Sequence, residues 1–233
     1  MTQEEKQQAV EILLHRLHGC VQALKAIDTR LADYFDDLVH QPDLHNGYEI
    51  LGAVKFLRLL RTYHFNERRV QQIIQLREGN WEPDEQGRMH YVSGGIRCPG
   101  TDRGHVYRWQ PFQVFVLASV FGFYHWFDTQ VSAWDKEELL LTERENDDGM
   151  VEDLRRLCTD FTLYGPRKID KTGISAFVAQ EHFLLEDPNS ESYCCANSEA
   201  QSKLLYRRIK HGLFQLNFDK RWRITEKITD WTK

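Results

Sequence analysis

The segment YGPRKIDKTGIS, residues 164 to 175, contains residue types that can bind a phosphate group. A phosphate-binding loop wraps backbone N–H groups around the phosphate at the start of a helix, and adds a lysine for the phosphate oxygens and a hydroxyl for Mg²⁺. Gly165, Lys171 and Thr172 supply the first glycine, the lysine and the hydroxyl. Asp170 replaces the second glycine. The spacing alone therefore leaves open a working loop and a surface turn in which Thr172 caps a helix.

The aspartate bears on both interpretations. A carboxylate beside a triphosphate is repulsive unless it points away from it, which favours the surface turn. Aspartate nevertheless tolerates a positive φ better than most residues other than glycine. The backbone path of a phosphate loop is therefore open to Asp170.

The elements around this segment predict a parallel sheet. TDFTLYGPR (159–167) and SESYCCANS (190–198) are strand candidates, whereas residues 171–187 and 198–214 have helical patterns. The order strand, loop, helix, strand, helix is typical of a parallel α/β sheet.

The first hundred residues instead predict helices. Apolar residues recur at helical spacing over residues 2–41, where Thr2 is a candidate N-cap. They recur again over 46–65 and 66–81, where Asn66 is placed to cap the second segment. Residues 80–105 predict a long loop or an irregular hairpin. We therefore predict two domains, a helical region at 1–105 and an α/β domain at 106–233.

Two further segments complete the predicted secondary structure. The apolar run FQVFVLASVFGFYHWF, residues 112–127, predicts a buried helix, because it falls short of the roughly 20 residues of a membrane span. The acidic run from Glu143 to Asp153 predicts a solvated loop and helix face.

Composition excludes several classes of protein. The chain has 233 residues, 41% hydrophobic and 28% charged, as expected for a soluble globular protein. Its net charge of -5 excludes polyanion binding through bulk charge. Five cysteines without a C-x-x-C pair argue against a disulfide framework and a zinc site, and favour a reducing cytoplasm.

Four segments, in order, resemble the large terminase subunit of tailed bacteriophages, the ATP-driven motor that packages DNA. PFQVFVLASVFGF (111–123) resembles its adenine-recognition segment, and RRLCTDFTLYGPRK (155–168) the strand that approaches its phosphate loop. PRKIDKT resembles the Arg-Lys-x-Gly-Lys-Ser/Thr variant of that loop, and ESYCCANSEAQSKLLYRRIK (191–210) the next strand and helix. With a looser likeness upstream, the resemblance covers about residues 36 to 212.

This resemblance implies an α/β fold in which a helical N-terminal region precedes the opening part of a P-loop NTPase parallel sheet. It implies binding of ATP and Mg²⁺, with Gln113 at the adenine, Lys171 on the phosphates and Thr172 on the metal. Arg167 would be the catalytic cation at the γ-phosphate. The implied cofactor-binding set is Gln113, Gly165, Arg167, Lys168, Asp170, Lys171 and Thr172.

The family also implies partners and a location. The implied partners are double-stranded DNA, the portal and the small terminase subunit, and the implied assembly is a ring of identical subunits. The implied location is the cytoplasm of the host bacterial cell, without a membrane. The densest basic positions could follow DNA phosphates, although solvated helix faces or subunit contacts explain them equally well. They are Arg58, Arg61, Arg68, Arg69, Lys203, Arg207, Arg208 and Lys210.

The sequence ends at ITDWTK, before the acidic pair of Walker B and the nuclease domain of the family. We therefore expect the N-terminal part of a large subunit, either a fragment or a split reading frame, which does not turn over ATP as it stands. The alternative is a non-catalytic nucleotide-fold module with a degenerate phosphate loop, used for docking or for binding DNA.

Overall fold

The computed structural model describes residues 1–86, 89–96, 107–129, 143–145, 151–158, 162, 170–185, 193, 195 and 198–216. The chain divides into two compact units, each built from two stretches of sequence. Unit 1 comprises Met1–Ile74 and Trp109–Thr162, and unit 2 comprises Gln75–Arg108 and Leu163–Lys233.

Unit 1 is built mainly from helices. Helix α3 packs against α1, α2 and α6, and α1 also packs against α4. The helices are α1 Gln3–Leu17, α2 Val21–Ile27, α3 Thr29–His40, α4 Gly47–Thr62 and α6 Pro111–Phe121, with a short 3-10 helix at Pro42–Leu44; α5, Glu67–Glu78, contributes residues to both units.

Local signals set the starts of these helices. The Thr2 hydroxyl accepts a hydrogen bond from the N–H of Glu5, whose carboxylate accepts one from the N–H of Thr2, so a capping box begins α1. Asn66 Oδ1 accepts a hydrogen bond from the N–H of Arg69 at the start of α5. Both predicted caps are confirmed.

Aromatic side chains form the centre of the core of unit 1. The ring of Phe56 lies 5.6 Å from those of Phe35 and Phe115, and 5.0 Å from that of Phe123, measured between centroids. These contacts join α3, α4 and α6 to a small sheet. Since the side chain of Phe56 is buried, it stabilises unit 1 through its apolar area and its ring contacts.

This sheet has four antiparallel strands in the order β1-β4-β6-β5. They are β1 His64–Phe65, β4 Phe123–Thr129, β5 Glu143–Glu145 and β6 Val151–Arg156. The helix predicted over 112–127 is therefore wrong beyond Phe121, because the aromatic residues that follow Gly122 suit a strand and pair with β6. The solvated loop and helix face predicted for the acidic run from Glu143 to Asp153 is also wrong where its residues form β5 and the start of β6.

Unit 2 combines an antiparallel hairpin with two helices that pack against each other. Its elements are β2 Asn80–Pro83, β3 Met89–Ser93, α7 Lys171–Leu185 and α8 Glu199–Leu216. The hairpin requires glycine at position 79, where φ is 74° and a Cβ would lie 2.5 Å from the carbonyl oxygen of Ser93.

The predicted parallel α/β fold is contradicted. The described residues are mostly helical, and every strand pairing among them is antiparallel. Strand β6, just before the phosphate-loop segment, pairs antiparallel with β4 along residues 151–156 and with β5 along residues 151–153. Of the predicted strands 159–167 and 190–198, only Thr162, Tyr193, Cys195 and Ser198 are described, and none is in a strand. Within the described residues, the opening part of a P-loop NTPase sheet is therefore not formed.

None of the helices in the described part of the chain has both the length and the apolar character that crossing a bilayer requires.

Candidate functional site

The candidate site is built at the start of α7, which begins at Lys171 as the sequence predicts. Asp170 immediately precedes the helix with a φ of 59°, the left-handed conformation that a phosphate loop gives to glycine. Its carbonyl oxygen accepts the N–H of Ile174 at 2.9 Å and closes the first turn. Lys171 and Thr172 are therefore the first two residues of α7.

The carboxylate of Asp170 is held by three side chains of unit 2. Its Oδ2 lies 3.1 Å from Arg77 Nη2 and accepts the Tyr107 hydroxyl at 2.8 Å, whereas its Oδ1 accepts Arg208 Nη1 at 2.9 Å. The Arg77 guanidinium also lies over the Tyr107 ring, 3.2 Å from its centroid. Two cations and a hydroxyl therefore compensate this one negative charge.

The same carboxylate covers the first turn of α7. A Cβ at Gly173 would lie 2.1 Å from Asp170 Oδ2, so this position accepts only glycine while the carboxylate stays there. The positive end of the helix dipole favours an anion at this point. In the structure the anion at this point is the carboxylate of Asp170, which lies over the position of a Cβ at Gly173.

A cavity of about 290 Å³ opens beside this carboxylate within unit 2. It is lined by Arg77, Ile96, Gly173, Ala176, Gln180, Leu204, Arg207, Arg208 and His211. Its walls are held together by Gln180, whose Nε2 donates to the carbonyl oxygens of Arg208 and Ile209, each at 3.0 Å. Gly212 leaves room for that amide, because a Cβ there would lie 2.0 Å from Gln180 Nε2.

Comparison with family models, with curated proteins and with solved structures found no match. The functional argument for this chain therefore depends on its own residues and their geometry.

The other residues predicted for the site are placed as follows. Gly165, Arg167 and Lys168 lie outside the described residues. Gln113 lies in unit 1 on α6, where it is 3% exposed and its Oε1 accepts the N–H of Gln110 at 2.9 Å. This hydrogen bond caps α6, so the Gln113 oxygen has a structural partner.

Sequence reasoning missed the partners of Asp170. The sequence groups Arg208 with the other basic residues of its helix and gives no reason to single out Arg77 or Tyr107. One signal was present: an aspartate in a position that favours glycine needs compensation for its charge, and arginine is the usual partner. The sequence does not indicate which arginine supplies it.

A second polar cluster occurs in unit 1 where α3 and α4 meet. His45 lies between two carboxylates, with Nε2 2.9 Å from Asp37 Oδ2 and Nδ1 2.9 Å from Glu49 Oε2. Beside it, burial raises the pKa of Tyr34 well above its usual range, and the charges of Glu49 and Asp37 raise it further. These groups join the helices, and in the described part of the chain no group of three or more His, Cys, Asp or Glu side chains is arranged to hold a metal ion.

Proposed function

We propose that the start of α7 binds the phosphate groups of Mg-ATP and that the chain is the ATP-binding part of a terminase large subunit. The observation that carries the proposal is the position of Lys171 and Thr172 as the first two residues of a helix, directly after a residue at positive φ. This arrangement places an ammonium and a hydroxyl where a helix N-terminus attracts phosphate.

The sequence pattern supports ATP as the ligand. The four segments that resemble the terminase large subunit occur in the family's order, and the segment that ends at Thr172 is the one that contacts phosphate there. In this proposal Lys171 holds the phosphates, Thr172 binds Mg²⁺ and Arg167 stabilises the γ-phosphate. Within the described residues, the proposal rests on the N-terminus of α7 and the side chains of Lys171 and Thr172.

The residues present fit a phosphate group on one condition, which is that Asp170 withdraws its carboxylate. Two unit charges 4 Å apart repel by roughly 4 kcal/mol at the effective dielectric of a protein surface. A phosphate in front of α7 would meet this repulsion because the carboxylate lies over Gly173. We therefore expect this chain to bind ATP more weakly than a phosphate loop with glycine at this position.

The proposed biological role follows from the resemblance. ATP binding would power the movement of double-stranded DNA into a capsid, with the portal and the small terminase subunit as protein partners and a ring of subunits as the assembly. The role proposed for Gln113 at the adenine requires its side chain to leave Gln110, since its Oε1 now accepts that N–H.

A titration of a fluorescent ATP analogue with Mg²⁺ tests the proposal. We expect the parent chain to bind and Lys171→Ala to weaken binding at least about tenfold, the effect of losing a hydrogen bond to a charged group. Lys203→Ala is a matched control, because it removes one lysine from α8 that pairs with Glu199 and does not line the cavity. Equal binding by the parent and Lys171→Ala would contradict the proposal.

The ion pairs of Asp170 favour a second candidate, a non-catalytic module that docks onto a protein or DNA. If the carboxylate never leaves Arg77 and Arg208, the start of α7 is permanently closed to phosphate. This candidate predicts that the ATP analogue does not bind the parent but does bind a folded Asp170→Gly variant, in which the blocking carboxylate is gone.

A further inference from the structure

We infer that the cavity between α7 and α8 is a binding site for a pyrophosphate-like anion, that Arg77, Arg207 and Arg208 are its cations, and that Asp170 competes with the ligand for them. The inference rests on the proposed function in placing phosphate near the start of α7. It goes further because it assigns the binding cations to residues outside the loop and gives Asp170 the role of an internal competitor.

The geometry of Asp170 is the first argument. Arg77 and Arg208 approach the two different oxygens of one carboxylate, at 3.1 and 2.9 Å. Guanidinium groups bind carboxylate and phosphate oxygens in the same forked geometry. An arrangement that holds a carboxylate in this way can therefore exchange it for a phosphoryl group.

The two arginines differ in how firmly they are held. The Arg77 side chain is 8% exposed and stacks on the Tyr107 ring, so its guanidinium is fixed before a ligand arrives. The Arg208 side chain is 44% exposed and can move with an incoming anion. A preorganised cation beside a mobile one allows the site to release Asp170 and close on a ligand.

The charges around the cavity are the second argument. Three arginines line it, and Asp170 provides one carboxylate beside it. The guanidinium groups of these arginines make the cavity wall suitable for an anion with several negative charges.

The size of the cavity limits the ligand. Its volume of about 290 Å³ is at the lower end of the range for small-molecule pockets, which is about 300 to 1,000 Å³. This volume suits the phosphate part of a nucleotide rather than a whole nucleotide. The hydrogen bonds from Gln180 to α8 keep the arginine-bearing wall next to α7, so the site is formed before binding.

Isothermal titration of the full chain with sodium pyrophosphate tests the inference. We expect Arg208→Gln to weaken binding about tenfold, since it removes one charge-assisted contact from a partly exposed position. Asp170→Asn should tighten binding at least about fivefold, because asparagine keeps the left-handed backbone but has no charge. Lys203→Gln is the control, since it removes the same charge from α8 away from the cavity, and it should bind as the parent does.

The outcomes that overturn the inference are specific. Parent-like affinity in Arg208→Gln would exclude the arginine site, and an Asp170→Asn affinity no tighter than that of the parent would exclude the competition. Absence of pyrophosphate binding in both the parent and Asp170→Asn would overturn the whole inference. The amide exchange of α7 is measured for each variant, so that a loss of binding is attributed to the site only where the helix remains protected.

A parallel titration with the ATP analogue separates this inference from the proposed function. Pyrophosphate binding that depends on Arg208, without ATP binding, would contradict the proposed function and support the inference. ATP binding that depends on Lys171, with pyrophosphate binding unaffected by Arg208→Gln, would support the proposed function and overturn the inference.

Discussion

Replacing Asp170 by alanine, glycine or asparagine should destabilise unit 2 to three different extents. Alanine removes the carboxylate from Arg77, Tyr107 and Arg208 and also places a Cβ-bearing residue at a φ of 59°. Glycine removes the same contacts without backbone strain. Asparagine tolerates the left-handed conformation and keeps one acceptor oxygen, but it loses the charge and the acceptor on the side of one arginine.

The expected magnitudes follow from these contacts. The hydrogen bond to the buried Arg77 contributes about 1.5 to 3 kcal/mol, and the ion pair with the more exposed Arg208 about 0.2 to 1 kcal/mol. The left-handed conformation costs alanine a further 1 to 2 kcal/mol, roughly. We therefore expect losses of about 4 kcal/mol for Asp170→Ala, about 3 kcal/mol for Asp170→Gly and about 1 to 2 kcal/mol for Asp170→Asn.

Hydrogen exchange of peptides from residues 171–185 measures this effect within unit 2. Amides of α7 exchange through local opening, so a lower stability appears directly as faster exchange. A difference of about 2 kcal/mol between the alanine and asparagine variants corresponds to roughly a 30-fold difference in rate. Equal exchange in the parent and Asp170→Ala would refute the view that this carboxylate holds the start of α7.

Three further predictions concern unit 1. Burial raises the pKa of Tyr34, so its hydroxyl stays protonated in the folded state while it ionises in the unfolded state above about pH 10. The free energy of unfolding should therefore fall as the pH rises above that value, and it should fall less steeply in Tyr34→Phe. Urea titrations at several pH values measure this difference. Phe56→Ala should lower the free energy of unfolding by about 3 to 5 kcal/mol in a urea titration, because it leaves a cavity among packed aromatic rings. Gln113→Ala should cost about 1 kcal/mol in thermal unfolding because it removes the cap of α6; an unchanged stability would contradict this structural role.

Features that depend on neighbouring residues were predictable from the sequence. The caps at Thr2 and Asn66 are formed because each side chain bonds to a backbone N–H three residues later. The start of α7 at Lys171 and the possibility of a positive φ at Asp170 are of the same local kind.

Features that depend on distant pairing were not predictable. The segment 123–127 continues an apolar helical pattern, yet it forms a strand because residues 151–156 pair with it. The partners of Asp170 are separated from it by 93, 63 and 38 residues, and no spacing rule connects them. The order of local patterns along the chain favours a parallel sheet. Which strands become neighbours is decided by tertiary pairing, which this order does not contain.

The affinity of Asp170→Gly for Mg-ATP, compared with that of the parent, tests most directly the claim that an aspartate occupies the phosphate position of α7. We expect Asp170→Gly to bind at least about fivefold more tightly, because the competing carboxylate is gone and glycine keeps the left-handed backbone. Adding Lys171→Ala to this variant should remove the gain. Equal or weaker ATP binding by Asp170→Gly, with α7 still protected from exchange, would contradict the claim.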